Sequence, residues 1–222
     1  MSISEGLLSS AWFWPALLIY LLVLGASIYL APWRALFNNR RLQHLFLGAT
    51  VCVALMWSMR AGISPGLGIH FLGMTVLVLV FGLDLGIVAG SLGLLAMTIL
   101  GRESWEGFPV NGLCSVVLPA LASYILLKWV EAKLGRNFFV YLFLCAFFGA
   151  GVAAAVSGLS TALVLWFDGV YSWAKITHEY VQYLPLIMFP EGLMNGIIMT
   201  GMMVFHPDWV RTFDAKLYID DQ

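Results

Sequence analysis

The chain has 222 residues, of which 61% are hydrophobic and 10% charged, and its formal net charge at pH 7 is −1. This composition is typical of a protein embedded in a lipid bilayer and excludes an ordinary soluble domain. The small net charge also argues against a nucleic-acid partner.

Long continuous apolar runs predict transmembrane helices rather than the short alternating strands of a membrane barrel. We therefore predict an all-α integral membrane protein with a single transmembrane domain over residues 1–222. Its bundle has about seven helices, with spans at roughly 11–31, 42–59, 69–83, 85–101, 110–130, 137–167 and 183–205. Only Asp84 and small residues separate the third span from the fourth, so these two form either a tight helical hairpin or one broken helix.

Most lysine and arginine residues lie in alternate gaps between the predicted spans. One set of gaps holds Arg34, Arg40, Arg41, Lys128, Lys133, Arg136, Arg211 and Lys216, whereas the other holds Arg60, Arg102 and Lys175. Because an excess of cations marks the cytoplasmic face, we predict that the N-terminus is outside and the C-terminus inside. No basic segment precedes the first apolar run, so we expect that this span is not a cleaved signal peptide.

Several patterns within the spans are typical of packing. Gly86, Gly90 and Gly93 form a stripe of small residues that favours close contact between helices, most simply inside the chain. Three cysteines lie in apolar spans and are expected to be packed thiols: Cys52, Cys114 and Cys145. The methionines of the last span favour the same interpretation, with a Cu(I) path as the alternative.

Polar groups inside a span indicate function more strongly, because a membrane interior makes them costly. By the predicted orientation, His70, Asn111 and Glu191 all lie toward the outer face, as does Glu5 near the N-terminus. We expect these four side chains to share one polar pocket. Glu191 in particular is expected to face the bundle interior, with Asn111 or a backbone amide as its donor.

Four motifs, in order along the chain, resemble the CbiM/NikM family of membrane substrate-binding components. They are MSISEGLLS at residues 1–9 followed by Trp12, GIHFLG at 68–73, GFPVNG at 107–112 and PEGLMNG at 190–196. Family members belong to energy-coupling factor transporters for cobalt and nickel in prokaryotic plasma membranes. The resemblance covers roughly residues 1–205 and is compatible with seven spans and an outside N-terminus.

The resemblance implies a metal site of four nitrogens, an arrangement that suits Ni(II) and related ions. The terminal amine, the second residue's backbone nitrogen and imidazole, and a helix histidine supply these ligands. Met1 and His70 match the family, but Ser2 replaces the second-position histidine, and a small residue there also favours removal of Met1. The residues that we expect to support an altered site are Glu5, Asn111, Glu191, Cys114 and Met74.

The function implied by the resemblance is capture of a divalent transition-metal ion, with no permanently bound cofactor. Transport then requires a transmembrane coupling subunit and cytoplasmic ATPases as partners, because the chain has no phosphate-binding Gly-Lys-Ser/Thr loop. We expect no enzymatic activity, since no nucleophile–base pair or paired carboxylates stand out. A metal-free membrane scaffold and a carrier of a small organic solute remain alternatives.

Overall fold

The computed structural model describes residues 3, 6–62, 64–214 and 218, and these residues form a bundle of α-helices. In chain order the helices are α1 Phe13–Leu30, α2 Trp33–Asn38, α3 Arg40–Ser58, α4 Met74–Ile99, α5 Phe108–Lys133, α6 Phe138–Phe167, α7 Trp173–Glu179 and α8 Leu184–Phe205. Both α5 and α6 contain a π-helical stretch, at Gly112–Val117 and Tyr141–Phe148. The all-helical prediction is confirmed for the described part of the chain.

Five helical segments of the described chain are long and apolar enough to cross a membrane. These segments are Ser10–Leu30, Met74–Ile99, Phe108–Lys133, Phe138–Phe167 and Trp173–Phe205. Helix α3 falls short of the same apolarity because four of its first five residues are polar, namely Arg40, Arg41, Gln43 and His44. Five of the predicted spans agree with helix bounds to within three residues, but the count of seven crossings and the orientation stay predictions.

The third and fourth predicted spans, 69–83 and 85–101, overlap the two arms of α4, so the hairpin alternative applies. The break falls at Gly82, where φ is 85° and ψ is 170°, rather than at Asp84. A Cβ on Gly86 would lie 3.2 Å from the backbone of Val78, and one on Gly90 would lie 2.7 Å from Met74 Sδ. Residues this far apart in sequence cannot touch in a straight helix, so α4 folds back on itself as a tight hairpin.

The first arm of the hairpin begins later than predicted, at Met74 instead of residue 69. Residues 59–73 are not helical, and Ala61 forms an isolated antiparallel bridge with Ile69. The arm over residues 74–81 is therefore only about 12 Å long. His70 consequently lies in an extended segment before the helix, and not on the helix where it was expected.

Small residues allow the helices of the bundle to pack closely within the chain. Besides the hairpin contacts of Gly86 and Gly90, Gly93 faces the backbone of α3 at Thr50 and Ala54. The predicted intrachain role of this glycine stripe is confirmed. Cys114 and Cys145 are buried free thiols, as expected, whereas Cys52 is exposed. Met199 and Met203 are buried in the core, which agrees with the packing interpretation.

The described chain has contacts at two opposite ends of the bundle. At the N-terminal end, Ser9 N donates to Asp168 Oδ2 at 2.7 Å, which joins the chain start to the end of α6. At the C-terminal end, Arg211 Nη1 donates to Asp84 Oδ2 and to the Phe81 carbonyl oxygen, each at 2.9 Å. Ser9 and Arg211 therefore lie at opposite ends of the bundle.

Candidate metal site

Ile3 is anchored inside the end of the bundle at which α1 begins. Ile3 is 1% exposed, and its backbone N–H donates to Asn111 Oδ1 at 2.8 Å. In return, Asn111 Nδ2 donates to the Ile3 carbonyl oxygen at 3.3 Å. One buried side chain thus pairs with both backbone groups of Ile3, much as a neighbouring β-strand would.

The seat for Ile3 is formed by the start of α5 and the loop before it. Gly107 is required there by space, because a Cβ at this position would lie 2.6 Å from the Ile3 carbonyl oxygen. Ser104 Oγ accepts the Gly107 N–H at 2.9 Å and so fixes the turn that enters α5. The glycine and asparagine of the GFPVNG motif therefore act together to admit the chain start.

Asn111 is itself held by a buried carboxylate. Its Nδ2 donates to Glu103 Oε2 at 3.2 Å, while the other oxygen, Oε1, accepts from Arg60 Nη1 at 2.9 Å. The Glu103 side chain is 5% exposed and that of Arg60 is 33% exposed. Because the carboxylate accepts from Nδ2, the Asn111 amide is oriented with its Oδ1 toward the Ile3 N–H.

His70 lies buried at the same end, in the extended segment that precedes α4. It is 6% exposed, and its ring centroid lies 5.6 Å from that of Trp57 on α3. Its Nδ1 lies 3.0 Å from the carbonyl oxygen of Phe71. A carbonyl oxygen only accepts, so this contact places the proton on Nδ1 and the lone pair of a neutral imidazole on Nε2.

Glu191 of α8 holds the segment that carries His70. Its Oε2 accepts the N–H of Leu72 at 2.9 Å, and its Oε1 accepts the N–H of Gly73 at 2.8 Å and Asn195 Nδ2 at 2.9 Å. Glu191 is 1% exposed, which confirms that it faces the interior and binds backbone amides. A carboxylate at the start of a helix also has favourable electrostatics with the helix dipole.

Two described members of the expected polar pocket, Asn111 and Glu191, belong to separate hydrogen-bonded groups. Asn111 binds Ile3 and Glu103, whereas Glu191 binds Leu72, Gly73 and Asn195, so Asn111 is not the donor to Glu191. The reason is that each side chain satisfies the backbone of a different part of the chain, Ile3 for Asn111 and residues 72–73 for Glu191. Both segments nevertheless lie at the N-terminal end, and each matches a part of the chain to which the resemblance assigns a metal ligand.

The other predicted site residues have varied surroundings. Cys114 is buried in a small apolar cluster with Ile3, Ala16 and Val110. Met74 is fully buried against Gly90, which indicates a packing role. Met1, Ser2 and Glu5 lie outside the described residues. Within the described part of the chain, no group of three or more His, Cys, Asp or Glu side chains is placed to hold a metal ion.

Several residues of this region were not identified from the sequence. Asn195 had a usable signal, because it lies four residues after Glu191 and therefore on the same helix face. Arg60 and Glu103 had no signal in the sequence, since they lie 43 residues apart in two loops and contact each other only in the folded chain. Trp57, whose Nε1 donates to the Leu72 carbonyl oxygen at 3.0 Å, lies near the end of a predicted span, where tryptophan is common for other reasons.

Comparison with known families gives a match over almost the whole chain. The family model described as CbiM, cobalt uptake substrate-specific transmembrane region, matches residues 2–209. No protein among those with curated functions matches the chain.

Two solved structures share the fold. A truncated transition metal transporter has a TM-score of 0.80 at 16% sequence identity, covering 93% of this chain and 100% of its own. A second structure, also of a transition metal transporter, has a TM-score of 0.69 at 18% identity, covering 94% of this chain and 92% of its own. At such low identity these similarities establish the fold alone.

Proposed function

We propose, because the chain belongs to the CbiM family of cobalt-uptake substrate-specific transmembrane regions, that it captures a divalent transition-metal ion at the outer membrane face and passes it inward. Membership of this family supports membrane transport of a metal ion and not an enzymatic reaction. The cobalt- or nickel-like choice of ion and the role of substrate-binding component in an energy-coupling factor transporter are part of the proposal. So is its location in a prokaryotic plasma membrane.

The observation that carries this proposal is that Ile3 and the non-helical segment of His70 are both held by buried polar side chains inside the same end of the bundle. Ile3 is held by Asn111, and the His70 segment is held by Glu191 through Leu72 and Gly73. Bundle interiors rarely admit irregular backbone unless polar partners satisfy it. Buried polar side chains thus position the two parts of the chain that supply the metal ligands in the family scheme.

The surroundings of His70 suit a metal-binding imidazole. A histidine that binds a metal ion through one ring nitrogen commonly donates the other N–H to a carbonyl or carboxylate, as His70 Nδ1 does to Phe71. This arrangement directs the lone pair to Nε2, and neutral imidazole binds Ni(II), Co(II) and Cu(II). The rest of the proposed site consists of the terminal amine and backbone nitrogens of Met1 and Ser2.

Transport by this scheme needs partners that the chain does not supply. A transmembrane coupling subunit and cytoplasmic ATPases would provide the movement and the ATP hydrolysis. The metal ion is cargo and leaves the site in each cycle, so the site must bind it reversibly.

A metal-free scaffold or a small-solute carrier is the second candidate. It is favoured by the replacement of the second-position histidine by Ser2 and by the absence of a His, Cys, Asp or Glu cluster among the described residues. These alternatives predict that no metal ion accompanies or binds the purified protein.

Metal analysis of the gently solubilised protein, followed by calorimetric titration with Ni(II) and Co(II), tests the proposal. Binding should be lost in His70→Ala and retained in His178→Ala, which removes an exposed histidine of α7 at the same end. Mass spectrometry of the N-terminus shows whether Met1 is present. If His70→Ala binds metal as well as the parent, the proposed site is wrong and the scaffold or solute carrier becomes the better interpretation.

A further inference from the structure

The two clamped segments are joined to each other by an ion pair. On one side, Ile3 pairs with Asn111, whose Nδ2 donates to Glu103 Oε2 at 3.2 Å. On the other side of the same carboxylate, Arg60 Nη1 donates to Glu103 Oε1 at 2.9 Å. Each oxygen of Glu103 therefore has a separate donor, one on the path to the chain start and one on the path to His70.

The path from Arg60 to His70 is short and runs along the backbone. Arg60 precedes Ala61, whose N–H donates to the Ile69 carbonyl oxygen at 2.9 Å. The Ile69 N–H donates to the Ala61 carbonyl oxygen at 2.6 Å. His70 follows Ile69 directly. The guanidinium is fixed further because its Nη2 donates to the Arg102 carbonyl oxygen. The position of Arg60 is thus transmitted to His70 through paired backbone.

We infer that the Arg60–Glu103 ion pair is a clasp that positions the N-terminal segment and the His70 segment relative to each other for metal binding. This inference rests on the proposed function, and both residues are positioning residues rather than ligands. An exposed ion pair contributes little to stability. The Glu103 side chain, however, is 5% exposed and also accepts a hydrogen bond from Asn111. Removing Arg60 takes one donor from the buried Glu103 carboxylate, and removing Glu103 takes an acceptor from the buried Asn111 amide. A hydrogen bond lost at a buried group has a larger effect than one lost at an exposed pair.

The test compares Arg60→Gln, Glu103→Gln, their double variant and the conservative Arg60→Lys. The matched control is Lys128→Gln, which removes the cation of the exposed Lys128–Glu131 pair, whose nitrogen and oxygen are 2.8 Å apart, near the C-terminal end of α5. Ni(II) affinity is measured by calorimetry, and Cu(II) binding by electron paramagnetic resonance. Hydrogen exchange of peptides containing Ile3 and His70 is measured without metal.

Each single substitution to glutamine should weaken Ni(II) binding by about tenfold or more, the range found for residues that orient metal ligands. The double variant should lose little more Ni(II) affinity than either single variant, because the two residues act as one unit. Arg60→Lys should restore part of the affinity, and Lys128→Gln should bind as the parent does. Exchange should rise in both the Ile3 and the His70 peptides, and the Cu(II) hyperfine splitting should change.

Independent, additive effects of the two substitutions would overturn the clasp. Unchanged hydrogen exchange in the Ile3 peptide of Arg60→Gln, or in the His70 peptide of Glu103→Gln, would also overturn it. A third contradicting outcome is a lower thermal stability with an unchanged Cu(II) spectrum. If the parent protein binds no metal, the proposed function fails, whereas the metal-free exchange measurement still decides whether the clasp joins the two segments.

Discussion

Asn111 and Ile3 are paired through two hydrogen bonds, with the Ile3 N–H 2.8 Å from Asn111 Oδ1 and the Ile3 carbonyl oxygen 3.3 Å from Nδ2. Both residues are 1% exposed. A primary amide is the shortest side chain group that offers a donor and an acceptor in this arrangement. Ile3 is therefore an internal part of the bundle.

The seat of Ile3 can be tested by filling it. In Gly107→Ala, the new Cβ would lie 2.6 Å from the Ile3 carbonyl oxygen, so the N-terminal segment must shift. Hydrogen exchange at Ile3 should increase, and Ni(II) affinity should fall by about tenfold or more. Gly25→Ala is the control, because no heavy atom lies within 4 Å of the Cβ it adds. Equal exchange in both variants would show that the seat does not hold the segment.

The helices were predictable from the sequence because apolar length is a strong local signal. The break in α4 was predicted at Asp84, two residues after its position at Gly82, because Asp84 is the polar residue that interrupts the apolar run. The hairpin depends on Gly82 and on its contact with Arg211, which lies 129 residues away in sequence. Local patterns carry no information about such a partner.

The site was predictable only in part, for the same physical reason. Glu191 was expected to bind backbone amides because an unsatisfied carboxylate is costly in a membrane interior, and it does bind them. Which amides it binds depends on the extended segment before α4, whose apolar sequence resembles a helix. The Arg60–Glu103 pair joins two polar loops and has no signature in either one.

Glu191→Gln should destabilise the protein although it preserves the size of the side chain. The carboxylate accepts three donors, from Leu72, Gly73 and Asn195, whereas an amide would direct its NH₂ group at one of them. The free energy of unfolding should fall by about 1–3 kcal/mol. Thermal unfolding in detergent measures this change. Glu179→Gln is the control, since Glu179 accepts from the Ser64 hydroxyl, which an amide oxygen can also bind.

Gly82→Ala should destabilise the hairpin of α4. Its φ of 85° and ψ of 170° are accessible essentially to glycine alone, and a Cβ would lie 2.5 Å from Arg211 Nη1. A loss of about 1–3 kcal/mol in the free energy of unfolding is expected. Gly201→Ala, whose added Cβ meets no heavy atom within 4 Å, should be nearly neutral. Identical melting temperatures for the two variants would contradict the strain assigned to Gly82.

Reporter fusions at the two termini should give opposite locations, with the N-terminus outside and the C-terminus inside. The cation bias predicts this orientation, and the contacts of Ser9 and Arg211 at opposite ends of the bundle are compatible with it. A pair of reporters, one active only outside and the other only inside, measures both ends. Both termini on one side would exclude the seven-span topology.

Ser2→His should raise the affinity for Ni(II) or Co(II) by about tenfold or more, because it restores a nitrogen ligand that the family scheme places at the second position. A bulky second residue should also help to retain Met1, so that the amine and the imidazole return together. Calorimetry measures the affinity, and mass spectrometry of the intact protein measures retention of Met1.

The matched control is Ser4→His, which adds the same imidazole two residues later. If metal binding follows the family scheme, only Ser2→His gains affinity, and His70→Ala in the Ser2→His background removes that gain. An equal gain from Ser4→His would show that any added histidine attracts metal near the chain start. The scaffold or solute-carrier alternative predicts no gain from Ser2→His and no effect of His70→Ala, so the three variants together separate the proposed site from its rivals.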